Sequence, residues 1–291
     1  MIKDNDVISD NIIGAIMRAD FHACVMPSDP TPDREERLSA VRKHISIRQS
    51  LAYKAKRLVA ERAADAVTLL TQKDTRIIGI ERLSDIRGGA FLTLNHFSPI
   101  DSTLARKLVH RIGGGKINIV IKDTNLFMNG GLGFLMKYAR TIPVIDDPRY
   151  LAGTLAPMIS DMIERGEYVL VYPESEMWLN YRKPRPAMPG VYHWASRFGA
   201  PIIPLFAAIA DLGDAKRPDM AYRLYVGEPI YPDMTVSKRE RAARMQEADY
   251  SFKISAYESA YQRRFTPQYH DGDIAGGVIY DPYITELFET M

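Results

Sequence analysis

The apolar positions divide the chain into three stretches. Over residues 1–72 they fall at helical spacing. Ile8, Ile12, Ile13, Ile16 and Met17 mark a short amphipathic helix, ended by the breaker cluster Pro27-Ser28-Asp29-Pro30-Thr31-Pro32. A second helix is expected to start at Asp33, with Thr31 or Asp33 as its cap, Pro32 at a first-turn position, and Glu35 and Glu36 at the positive end of the dipole. It should run unbroken to Thr71, because Leu38, Val41, Ile45, Arg48, Leu51, Ala52 and Ala55 keep a helical period. Its polar side is basic, from Arg34 through Lys54, Lys56 and Arg62. Such a face suits an anionic membrane surface, and equally a solvated helix packed on a domain.

Over residues 73–265, short apolar runs alternate with helical stretches. The predicted strands are 76–80, 90–94, 117–121, 141–144, 168–172, 201–209 and 222–226. The predicted helices are 99–111, 132–138, 151–165, 190–198 and 238–264. This alternation predicts an α/β domain, a central mostly parallel sheet flanked by helices and preceded by the N-terminal helical region. Residues 266–291 lack a period and read as a loosely packed arm with one short helix near Ile284–Thr290.

Composition narrows the picture further. The chain has 291 residues and is 46% hydrophobic, enough for a sizeable core. A net charge of +2 is too mild for a nucleic-acid binder. The single cysteine, Cys24, excludes an intrachain disulfide and a cysteine zinc site, and reads as a small buried hydrophobe in a reducing compartment. The start Met1-Ile2-Lys3-Asp4-Asn5-Asp6 is not that of a signal peptide, and no apolar run approaches a membrane span. The expectation is a cytoplasmic protein, peripheral on the cytoplasmic face of the membrane.

The chemistry concentrates in Asn95-His96-Phe97-Ser98-Pro99-Ile100-Asp101-Ser102, directly after the apolar run 90–94. Ser98 can cap a helix that has Pro99 in its first turn, and Asp101 then stands at the capping-box position. His96 is thereby placed at the carboxyl end of a strand, where α/β sheets hold their ligands. A carboxylate five residues on can fix the imidazole tautomer and leave the other nitrogen as a base. No G-x-S-x-G motif supplies a nucleophile, so the substrate is expected to bring its own hydroxyl.

The order of these blocks resembles the 1-acylglycerol-3-phosphate (lysophospholipid) acyltransferase family. Its N-H-x-S-x-x-D signature is matched in full at Asn95–Asp101. Ile78-Gly79-Ile80-Glu81-Arg82-Leu83 resembles the lead-in strand, and Thr141-Ile142-Pro143-Val144-Ile145-Asp146-Asp147 the second block. Tyr172-Pro173-Glu174-Ser175-Glu176-Met177 stands where the family has F-P-E-G-T-R, and Ala200-Pro201-Ile202-Ile203-Pro204 resembles the fourth block. Two arginines that the family uses on the acceptor phosphate are replaced, by Asp147 and Met177. Arg140, Arg149, Arg182, Lys183 and Arg185 lie nearby as substitutes. The segment Trp178–Pro186 could hold a head group or coenzyme A phosphates, or be a solvated loop.

The resemblance implies transfer of a fatty acyl group from acyl-CoA or acyl carrier protein to a hydroxyl of a lyso-lipid. His96 would be the general base and Asp101 its orienting partner. Asn95, Ser98, Glu174, Arg149, Arg182 and Lys183 are the candidate substrate-binding residues, Ser98 also reading as a plain helix cap. Phe127, Met128, Leu132, Phe134, Leu135 and Met136 could line an acyl groove, with Gly130, Gly131 and Gly133 bending their loop, or form ordinary core. No cofactor and no metal are expected, although Asp146, Asp147 and Glu176 could join His96 around an ion. His193 reads as a packing or surface histidine. The alternatives are a non-catalytic lipid-binding member of the same fold and a thioester or ester hydrolase.

Overall fold

The computed structural model describes residues 5–27, 29–211 and 220–276. The chain begins with helices α1 (Asn5–Met17), α2 (Arg34–Ile47) and α3 (Leu51–Thr71). Strand β1 (Arg76–Ile78) and β2 (Ala90–Thr93) lead to α4 (Ser102–Arg111), β3 (Ile117–Lys122), α5 (Gly130–Tyr138) and β4 (Thr141–Val144). A short α6 (Pro148–Tyr150) passes through a π turn (Leu151–Leu155) into α7 (Ala156–Glu164). Then follow β5 (Tyr168–Val171), α8 (Gly190–Phe198), β6 (Ile202–Asp211), β7 (Met220–Val226) and α9 (Lys238–Tyr261).

The strands form one seven-stranded sheet in the order β1-β7-β6-β2-β5-β3-β4. Every pairing is parallel except β6 with β7. The sheet is therefore mostly parallel and covered by helices, as the alternating pattern predicts. β2 and β5 lie in its middle, and all residues of both are buried. Their apolar runs have no polar face because helices cover both sides. Their carboxyl ends, side by side, lead into the motif blocks that begin at Asn95 and Tyr172.

The N-terminal half departs from expectation. The helix predicted from Asp33 to Thr71 is two helices. Asp33 caps the first in a full capping box with Glu36, and Ser50 caps the second through Tyr53 N–H. The break at 48–50 resets the helical phase. In α2, Val41 is buried with Leu38 and Ile45 packed beside it, as predicted. In α3 the expected inward residues Leu51, Ala52 and Ala55 are exposed instead. Tyr53, Ala60 and Thr68 face inward, and Glu61 and Asp65 pair with Arg140 and Arg106 of the sheet domain. α3 is thus a helix with a polar inner face and an apolar outer one: Leu51, Leu58, Val59, Leu69 and Leu70 are each more than half exposed.

The first and last segments meet. Ile8, Ile12, Ala15 and Ile16 of α1 form a separate apolar cluster with Val25, Trp178, Tyr181 and Ile274. Tyr181 and Ile274 pair as an isolated antiparallel bridge. Asp273, Ile274 and Ala275 are buried, so the arm predicted to be loose is tied down over this stretch. The helix predicted near Ile284–Thr290 lies outside the described residues. No helix among the described residues is long and apolar enough to cross a membrane.

Candidate active site

The site is built where β2 and β5 end. Past Thr93, the backbone of Leu94 still bonds to Val171, and Asn95 continues the ladder with its side chain. Its amide donates to the Ala207 carbonyl at 3.0 Å and accepts from the Ala207 N–H at 2.8 Å. Asn95, a candidate for substrate binding, is therefore buried and occupied in closing the sheet against β6. Beyond it the chain turns, leaving His96 with a side chain 22% exposed.

His96 is held at several points. Its N–H donates to Glu174 Oε2 at 3.2 Å, and its carbonyl accepts from Trp178 N–H at 3.0 Å. Its ring Nδ1 lies 2.7 Å from Asp101 Oδ2. The same oxygen accepts the N–H groups of Phe97 at 3.1 Å and Ser98 at 3.2 Å. The Asp101 side chain is 2% exposed. A carboxylate that is acceptor only places the proton on Nδ1 and leaves the Nε2 lone pair free. The Ser98 hydroxyl accepts from Ile100 N–H within the turn before α4, which starts at Ser102 rather than at Pro99 as expected, with Asp101 at its N-cap and no side-chain bond capping it.

Tyr172, at the end of the β5 run, completes the pair. Its hydroxyl donates to Asp101 Oδ1 at 2.6 Å, and its ring stacks on the imidazole with centroids 4.0 Å apart. The sequence signal for it was only its place in the third block, where an aromatic ring is usual.

Glu174 is buried and saturated. Besides His96 N–H it accepts Arg185 N–H at 3.0 Å and the Arg185 guanidinium at 3.0 and 3.2 Å. Arg185 also bonds to the carbonyls of Phe21 and Glu176 and stacks 4.4 Å over Trp178. Between Glu174 and Arg185, Ser175 takes a left-handed conformation with φ 71°. Glycine tolerates that region better, which accounts for the glycine of the related motif.

The proposed arginine substitutes divide sharply. Arg140 is buried against Glu61 and Glu167. Arg182 is 2% exposed and bonds to the carbonyls of Ile209 and Gly272. Lys183 is 3% exposed, 2.6 Å from Asp273 and 2.7 Å from the Gln268 carbonyl. Arg182 and Lys183, read from the sequence as candidate phosphate ligands, thus tie the C-terminal segment to the domain. A phosphate would have to displace these partners to reach them. Arg149 remains exposed. Asp147 caps α6 through Tyr150 N–H and lies 3.7 Å from Arg34.

The N-terminal segment reaches the rim of the site. His22 Nδ1 lies 3.2 Å from the Glu174 carbonyl, and Trp178 donates to Ala23. Cys24 is exposed, not buried as expected, and partial desolvation of its sulfur, with the charge of Glu176, pushes the thiol up, away from nucleophilic use. Burial likewise raises the Asp29 carboxyl, Glu176 adding to it and Lys122 and His96 opposing. Lys122, at the end of β3, pairs with Glu176 at 2.7 Å and is partly exposed. Cys24, Asp29 and Glu176 are the one group among the described residues whose ligand atoms converge as around a metal, and Lys122 already holds Glu176. Asp146, Asp147 and His96 are not part of it.

The groove candidates are partly exposed rather than core. Phe127 and Met136 pack against the main core, while Leu132 is 38% exposed. The glycines open α5 rather than bend a loop, and a Cβ on Gly133 would stand 2.1 Å from the Met128 carbonyl. His193 is exposed on α8.

Residues 74–207 match the model of the family described as Acyltransferase. Among solved structures, the chain is similar to the 1-acyl-sn-glycerophosphate acyltransferase PlsC from Thermotoga maritima, at 15% identity and a TM-score of 0.47, over 89% of this chain and 95% of that one. No curated protein sequence matches the chain.

Proposed function

We propose that this chain moves an acyl group from an acyl thioester to the hydroxyl of a lyso-lipid, with His96 as general base. The observation that carries the reading is the 2.7 Å contact of Asp101 with Nδ1, on a ring whose side chain remains partly open. Nε2 takes the proton of the acceptor hydroxyl as its oxygen attacks the thioester carbonyl. Collapse of the tetrahedral adduct breaks the carbon–sulfur bond, and the imidazolium returns the proton to the leaving thiolate. A positioned base of this kind contributes about 10²–10⁴-fold. The acyl donor is acyl-CoA or acyl carrier protein, and the reaction calls for no cofactor or metal.

Glu174 acts on the site through His96 and Arg185 rather than on the substrate. For the acceptor head group, Arg149 is an exposed cation past the end of β4, and Lys122 at the end of β3 stays partly exposed while paired with Glu176. A lysophospholipid or a related lipid fits this arrangement. Its source is a bilayer, and the outward apolar ridge of α3, flanked by Lys54, Lys56 and Arg62, suits an anionic membrane surface on the cytoplasmic side.

Product analysis tests the reading. Purified protein with a mixed lyso-lipid extract and labelled palmitoyl-CoA, or palmitoyl acyl carrier protein, should yield a labelled diacyl lipid. Labelled free acid alone would make the protein a hydrolase, and no product would make it a binding protein.

A further inference from the structure

Tyr172 touches both members of the pair, its ring on His96 and its hydroxyl on Asp101. The phenylalanine of the related motif could supply only the ring. We propose that Tyr172 is a positioning residue whose hydroxyl, by holding Asp101 Oδ1, keeps His96 a neutral, competent base to lower pH; the inference rests on the general-base reading above.

The physical argument is one of charge. Oδ2 of Asp101 is shared by Nδ1 of His96 and the N–H groups of Phe97 and Ser98, and Oδ1 receives the Tyr172 hydroxyl. Each donor disperses carboxylate charge and so weakens its hold on an imidazolium. Burial first, and then the Asp101 charge, push the Tyr172 phenol well above its usual value, so it stays a donor. Ser102 opposes that rise. The ring stack leaves the imidazole one plane, which keeps Nε2 aimed while Nδ1 stays bonded.

Other titratable groups face the pair. Glu174 accepts His96 N–H, and His22 meets the Glu174 carbonyl. Asp29 is within electrostatic reach of His96, and Lys122 and Glu176 act on Asp29 in turn. Tyr222 feels the Asp101 charge. Tyr172→Phe leaves all of these in place and removes one hydroxyl.

The test combines this variant with Tyr172→Leu. In nitrogen-15 NMR of the full chain, with His96→Gln used for assignment, Tyr172→Phe should move the His96 titration midpoint upward. In acyl transfer from palmitoyl-CoA to lyso-lipid extract, the acid limb should move with it. The variant would then lose about 3–10-fold at pH 6 and almost nothing at pH 8. Tyr172→Leu, which also removes the ring, should lose rate at every pH. A midpoint unmoved by Tyr172→Phe, or a loss equal at all pH values, would overturn the inference. The NMR arm needs no turnover: a wild type without transfer activity would count against the acyl-transfer reading, while the midpoint would still decide the role of Tyr172.

Discussion

Glu174 and Arg185 form an ion pair at 3.0 Å in which the two side chains are 2% and 1% exposed. The pair joins the turn after β5 to the loop beneath α1, and its acid also holds the backbone of His96. Charges buried so fully depend on each other, because neither has water to replace the lost partner. Glu174→Ala should therefore cost about 3–5 kcal/mol in urea unfolding. Glu174→Gln should be destabilised less and keep its KM for the acceptor. If Glu174 bound the acceptor instead, Glu174→Gln would unfold as the wild type does and show a raised KM.

The inverted amphipathicity of α3 predicts membrane behaviour. Replacing Leu58 and Leu70 together by Asp alters only exposed positions, so stability should change by about 0.5 kcal/mol or less per site. Flotation with phosphatidylglycerol-containing vesicles should drop strongly, and wild-type binding should weaken as salt rises. Unchanged flotation of the double variant would remove α3 from the membrane contact.

His44 gives the fold an acid weakness. It is packed edge-on against Tyr53 at 5.6 Å, and burial, with the nearby Arg48, pushes its imidazole down to about 4. The unfolded chain takes that proton near pH ~6.5, well before the folded one. Stability is thus complete above that value and falls as pH drops towards 4, by up to roughly 3 kcal/mol. Urea midpoints at pH 7, 5 and 4 should fall steeply for the wild type and less for His44→Gln. Parallel slopes would show that His44 is not the group responsible.

The sheet was legible because its signal is local: each strand lies on a short apolar run, and helical periods separate most of these runs. The pair His96–Asp101 was legible because both members lie in one turn, six residues long from His96 through Asp101, so spacing alone set their distance. What stayed hidden depends on residues far apart in the chain. Lys183 reads as an exposed cation until Asp273, 90 residues on, is placed beside it. Asn95 reads as a ligand until Ala207 takes both halves of its amide. The break in the long N-terminal helix was missed because Ser50, its one local marker, fits a helix face as well as a cap.

The most direct test of the account is the transfer rate of His96→Ala. The His96 side chain bonds to Asp101 and stacks on Tyr172, and its backbone contacts survive truncation. The variant should stay folded by circular dichroism and lose about 10²–10⁴-fold in kcat with labelled palmitoyl-CoA and the acceptor that the wild type uses. A folded His96→Ala protein that transfers acyl groups within threefold of the wild-type rate would contradict the central claim.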